Sequence, residues 1–132
     1  MAQLKYPAVF MRGGSSKGVF FHDRDLPTDP GLRDRIFLAA IGSPDIYGRQ
    51  LNGMGGGVSS LSKAVVIGPP TVEGADLDYT FAQIAVGEAV VDYSANCGNL
   101  SSAVGPFAVD EGLVKVEGDE ALVRIHNTNT SK

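Results

Sequence analysis

Apolar residues along the chain fall into short alternating or continuous runs separated by glycine and proline, with two longer stretches at helical spacing. Residues 4–10 and 17–22 read as strands on either side of the Arg12-Gly13-Gly14-Ser15-Ser16 turn, a hairpin-type start. Thr28 or Asp29 can cap a helix with Pro30 in its first turn. Leu32, Ile36, Phe37 and Ala40 then share one face until Gly42, which predicts a helix over 29–41. Residues 42–60 lack periodicity and are dense in glycine, most of all at Gly53-Met54-Gly55-Gly56-Gly57. They predict a long loop that delivers Ser59, Ser60, Ser62 and Lys63 to a strand at 64–67, which Pro69-Pro70 ends.

Further on, residues 77–86 and 88–93 predict two strands joined near Gly87. From 98 to 111 the positions Leu100, Ala103, Val104, Phe107, Ala108 and Leu113 keep helical spacing, and no charge precedes Asp110. A helix apolar almost all round belongs inside other structure. Pro106 removes one of its hydrogen bonds and predicts a kink, and Gly112 supplies its end. Strands at 113–117 and 121–126 are expected to pair across Gly118-Asp119, after which the chain runs into polar residues with no capping pattern. Together these elements predict an α+β domain, strand-rich and wrapped about one buried helix, without the repeated strand-helix alternation of a doubly wound sheet.

Composition narrows the function classes. The chain has 132 residues, 43% of them hydrophobic and 20% charged, which suits one soluble globular domain. No apolar run approaches the roughly 18 residues of a membrane span, and Met1-Ala2-Gln3-Leu4-Lys5 opens without a signal-peptide core, so a cytoplasmic protein with no membrane partner is expected. A net charge of −4 argues against a nucleic-acid partner. The one cysteine permits no internal disulfide, and His22 and His126 lie far apart, so no metal site is expected. Glycine is the outlier: 17 residues, against a usual share of about 7%, imply many turns or backbone brought close to a ligand.

Three places can carry chemistry. Cys97 lies in Ala95-Asn96-Cys97-Gly98-Asn99-Leu100, where a turn of small residues feeds a helix. Unpaired N–H groups and the helix dipole stabilise a thiolate or a substrate carboxylate there, although a small buried hydrophobe is the plainer alternative. Arg12-Gly13-Gly14-Ser15-Ser16-Lys17-Gly18 offers two fixed charges, hydroxyls and accessible N–H groups, which suit a carboxylate but also describe a solvated basic hairpin. Lys63 leads an apolar strand, where desolvation would push it toward general-base use unless it snorkels from the strand edge. No nucleophile elbow supports a serine hydrolase.

Four blocks in order give these places a common meaning. They are Arg12-Gly13-Gly14-Ser15-Ser16-Lys17-Gly18-Val19-Phe20-Phe21; Gly53-Met54-Gly55-Gly56 through Ser62-Lys63; Asn96-Cys97-Gly98-Asn99 through Ala103-Val104-Gly105-Pro106-Phe107; and Val123-Arg124-Ile125-His126-Asn127-Thr128-Asn129-Thr130. The sequence carrying them resembles the PrpF family of aconitate, methylaconitate and methylitaconate isomerases and 4-oxalomesaconate tautomerases. The resemblance spans essentially the whole chain, yet matches only the N-terminal half of a family member. It implies a diaminopimelate epimerase-like domain, a curled, mostly antiparallel sheet around a central helix, with a C-terminal domain missing from this chain and the active site between the two. Val58 and Leu61 stand where relatives tend to carry hydroxyl residues, which bears on substrate identity.

The resemblance implies a cofactor-independent proton shift across an allylic unit of an unsaturated di- or tricarboxylate, with Lys63 and Cys97 as the acid-base pair and the choice of base left open. Arg12, Ser15, Ser16, Lys17, Ser59, Asn96, Gly98 and Asn99 are the candidate substrate-binding residues. Expected partners are a small carboxylate substrate, the missing domain and a second copy of the chain. Two rival readings are a cysteine-nucleophile transferase or hydrolase and a carboxylate-binding domain without turnover.

Overall fold

Alternation within the strands sorts the apolar residues into two cores, one on each face of a six-stranded mixed sheet. The computed structural model describes residues 3–132. Its strands are β1 (Val9–Gly13), β2 (Ser16–His22), β3 (Lys63–Gly68), β4 (Leu77–Ile84), β5 (Val91–Asp92) and β6 (Ile125–Asn127), with helices α1 (Pro30–Ile41) and α2 (Gly98–Asp110). Phe20, Val65, Ile67, Leu77, Tyr79 and Phe81 project toward α2. Val19, Phe21, Ala64, Val66, Ala82 and Ile84 project toward α1. A sheet covered on both faces explains why β3 reads Ala64-Val65-Val66-Ile67 without alternation.

β1 and β2 form the expected hairpin, but its turn is only Gly14-Ser15 and its first strand begins at Val9, not residue 4. β2 and β3 are parallel, joined by a crossover through α1. The Asp29 side chain caps α1 by accepting the Gly31 N–H at 2.9 Å, and Gly42 ends it in the left-handed region. Phe37 and Ile41 are its buried residues, whereas Leu32, expected on the inner face, is 44% exposed.

β4 is antiparallel to β3, and its other edge is shared. β6 pairs in parallel with Leu77–Tyr79, β5 pairs with Gln83 and Ile84, and the Asn129 side chain fills the gap. The Asn129 amide accepts the Phe81 N–H at 2.7 Å and donates to the Phe81 carbonyl at 2.8 Å, as a strand residue would. Its second donated bond, 2.8 Å to the Tyr93 carbonyl, ties β5's exit to β6's exit.

Two expectations change here. The hairpin over 113–117 and 121–126 shrinks to a single bridge between Glu117 and Glu120, because residues 125–127 are drawn onto β4 in parallel instead. The α2 helix is not apolar all round or enclosed: Leu100, Ala103, Val104, Phe107 and Ala108 are buried, while Asn99, Ser102, Pro106 and Asp110 form an exposed stripe. Its small residues carry little polarity in the sequence, which hides the outer face. The sheet itself has three antiparallel and two parallel pairings. Among the described residues no helix is long and apolar enough to cross a membrane.

Phe107 joins the helix to the sheet, its ring centroid 5.3 Å from that of Phe20 and 1% of its surface exposed. Phe107→Ala is expected to destabilise the fold by about 3–5 kcal/mol through lost burial and the cavity left behind. Urea unfolding checks this as a fall in the transition midpoint.

Candidate functional site

Cys97 is the N-cap of α2, a place usually held by an oxygen-bearing side chain. Its sulfur takes the oxygen's part and accepts the Leu100 N–H at 3.4 Å. The apolar stripe of α2 lays this first turn over the end of the sheet where β3 begins, and Lys63, the first residue of β3, points to the same face as Val65 and Ile67. The Lys63 Nζ therefore donates to Cys97 Sγ at 3.1 Å. The same ammonium stands 5.2 Å from the centre of the Phe81 ring, a cation–π contact that holds it over the sheet. Ser16, buried at the start of β2, completes the group with Oγ 3.7 Å from the sulfur.

The thiol is buried, 6% exposed, so its ionisation is set by competing effects. Burial is the largest and pushes the Cys97 pKa up. The Leu100 N–H, the Lys63 ammonium and the Ser16 hydroxyl, which donates to the ionised sulfur, outweigh it and hold the thiol below its ordinary value. Beneath the sulfur, the Cys97 carbonyl accepts the Tyr79 hydroxyl at 3.2 Å and the Ser101 hydroxyl at 2.9 Å. Burial foremost raises Tyr79 to about 12, so it remains a donor at neutral pH.

Glycines bring these parts together. A Cβ on Gly13 would collide with the Asn99 carbonyl, and one on Gly14 with the Asn99 side chain. At Gly18, across the ladder from Lys63, a Cβ would come within 2.9 Å of the Leu100 side chain. The hairpin thus docks on the first turn of α2 through bare backbone. The close approach inferred from the glycine content serves the helix here.

The residues singled out in the sequence divide. Lys63, Cys97 and Ser16 converge, and Gly98 and Asn99 are the exposed first two residues of α2, whose N–H groups have no carbonyl one turn back within the helix. Ser15 lies exposed at the hairpin turn, and Asn96 is exposed just before Cys97. Ser59 is also exposed, its carbonyl accepting Gln83 Nε2 at 2.9 Å. Arg12 and Lys17 do not join the group. They are register partners on β1 and β2, and strand alternation turns them to the face opposite Ser16 and Gly18. Arg12 Nε bonds the Gly14 carbonyl at 3.0 Å, and Lys17 Nζ lies 5.9 Å from the Phe10 ring. The single run of motif residues conceals this division, because a hairpin sends neighbours to opposite sides.

Sequence reasoning missed Tyr79, Phe81 and Gln50. The alternation Leu77, Tyr79, Phe81 was a usable signal for the first two. Nothing local marks Gln50, whose contacts reach across its own loop.

Comparison with known proteins gives one consistent picture. Residues 3–132 match the family described as PrpF protein. The chain is 52% identical over 130 residues to the 3-methylitaconate isomerase of Eubacterium barkeri, covering 98% of this chain and 34% of that protein. It is 48% identical to the 2-methyl-aconitate isomerase of Cupriavidus necator, covering 98% of this chain and 35% of the other. Identity to the 4-oxalomesaconate tautomerase of Pseudomonas putida is also 48%, covering 100% of this chain and 36% of the other. A crystal structure of methylitaconate-delta-isomerase superposes with a TM-score of 0.91 at 52% identity, over 96% of this chain and 32% of that one. The chain spans about a third of the length of these relatives, not the half that the resemblance implied.

The geometry of the thiol sets a pH dependence. Iodoacetamide alkylation of Cys97 should reach half its maximal rate at a lower pH than in an unfolded peptide of the same sequence. Lys63→Met, which removes the nearest positive charge, should move that midpoint upward. Equal midpoints for folded chain and peptide would contradict the assignment of donors to the sulfur.

Proposed function

The chain belongs to the PrpF protein family, and on that premise we propose that it carries the proton-transferring part of a cofactor-independent isomerase acting on an unsaturated di- or tricarboxylate. The contact that carries this reading is the 3.1 Å approach of Lys63 Nζ to Cys97 Sγ at the start of α2. The names of the relatives favour a substrate of the methylitaconate, methyl-aconitate or 4-oxalomesaconate type.

A 1,3-proton shift needs a base at one end of a three-carbon unit and an acid at the other. With the shared proton on nitrogen, the pair offers both. The Cys97 thiolate takes a proton from one carbon, and the electron pair of that C–H bond enters a dienolate. The Lys63 ammonium delivers a proton to the far carbon. The pair is then thiol and amine, and passage of the thiol proton to nitrogen across their contact restores it, so the cycle consumes nothing.

The dienolate and the carboxylates need positive surroundings. The Gly98 and Asn99 N–H groups at the positive end of α2 and the Ser16 hydroxyl provide them. Ser15, Ser59 and Asn96, exposed around the rim, are the further contacts for a multiply charged substrate. Since the relatives are about three times as long, a C-terminal domain of a diaminopimelate epimerase-like fold supplies the facing wall, and turnover requires the whole polypeptide.

In deuterium oxide, the whole polypeptide is expected to exchange solvent deuterium into the allylic positions of such a substrate, followed by NMR. Lys63→Ala and Cys97→Ser should each slow exchange by about 10²–10⁴-fold, the usual worth of a positioned acid or base. Undiminished exchange in both variants would remove the pair from the chemistry. An acyl adduct on Cys97 in the intact mass would favour a nucleophilic cysteine instead.

A further inference from the structure

The loop between α1 and β3 is organised around one buried amide. Asp45 accepts the N–H groups of Tyr47, Arg49 and Gln50 at 2.9, 3.1 and 2.7 Å, and this turn leads Gln50 into the left-handed region at φ 55°. A non-glycine residue adopts that conformation at a cost, so its side chain must return something. Gln50 is 1% exposed, and every polar group of its carboxamide has a partner. Its Nε2 donates to Ser43 Oγ at 2.9 Å, while its Oε1 accepts the Gly57 N–H at 2.8 Å and shares the single proton of the Ser62 hydroxyl, 2.9 Å away, with the Val58 carbonyl at 2.7 Å. A Cβ on Gly55 would overlap this carboxamide, so the glycine run is shaped to admit it.

Ser62 immediately precedes Lys63, and its position decides where β3 begins. It is fully buried, with its carbonyl accepting the Ile84 N–H and Gln83 Nε2, both at 3.0 Å. A strand presents alternate residues to opposite faces, so a slip of one residue at this point would turn Lys63 away from Cys97 toward the α1 side. We propose that Gln50 is the positioning residue for Lys63: its buried carboxamide pins Ser62 and thereby sets the face and depth at which the lysine meets the Cys97 thiol. The inference rests on the reading of Lys63 and Cys97 as the working pair, and it adds a determinant of that pair's geometry some distance back along the chain.

The pH profile of Cys97 alkylation reads that geometry without a substrate. Gln50→Met keeps the volume and loses the hydrogen bonds, and Ser62→Ala cuts the link at its other end. Both should raise the alkylation midpoint by about 0.5 pH unit or more, seen as a roughly threefold slower rate below the midpoint, toward the value of Lys63→Met. Phe37→Leu, in the core on the opposite face, should lower the melting temperature and leave the midpoint alone. If Gln50→Met does not fold, Ser62→Ala decides. Variants that melt earlier with an unmoved midpoint would make Gln50 a merely structural residue and overturn the proposal. A moved midpoint together with no deuterium exchange by the unaltered polypeptide would instead reject the isomerase reading and leave the positioning role intact.

Discussion

A helix laid on a sheet can put its first turn only where its apolar stripe allows, and that constraint governs this protein. Leu100, Ala103, Val104, Phe107 and Ala108 lock α2 along the Phe20, Val65 and Phe81 face, which brings Cys97 over the start of β3. Burial of these side chains, worth about 1.5–3 kcal/mol for each large one, far exceeds what the contacts at the sulfur contribute. The Lys63–Cys97 approach is therefore a consequence of packing, and the polar groups adjust to a placement they do not determine.

The same placement sets the electrical character of the thiol. A cysteine in an apolar interior is held neutral, but the end of a helix supplies an N–H group and a partial positive charge where the interior would otherwise suppress ionisation. Leu100, Lys63 and Ser16 each come from a different element, α2, β3 and β2. No single segment creates the site. It exists only when the hairpin, the crossover and the helix are all docked.

Backbone without side chains makes that docking possible. Gly13 and Gly14 let the hairpin reach Asn99, Gly18 lets Leu100 lie against the Lys63 end of the ladder, and Gly55 leaves room for the Gln50 amide. On the far side, Asn129 completes the β4 edge between β6 and β5 and fixes the segment that leads toward Cys97. Short polar residues in the last block of the chain thus act as a piece of strand.

Much of this was legible in the sequence where the information is local. Asp29, Pro30 and Gly42 mark the ends of α1, Cys97 and Gly98 mark the start of α2, and the apolar run after Lys63 marks β3, because capping, φ preference and hydrophobic period act within a few residues. The four motif blocks likewise pointed to the family. Distant pairing was decided by the tertiary structure. Residues 125–127 join β4 in parallel and not a local hairpin, since the open sheet edge offers three register pairs and the 113–117 segment offers one bridge. Strand alternation separates Arg12 and Lys17 from Ser16 despite their adjacency, and Gln50 meets Ser62 only because the loop folds back on itself. Sequence alone determined which residues are able to do chemistry; packing across the two faces of the sheet decided which of them meet, because a side chain's direction depends on register and a register is settled only by its partner strand.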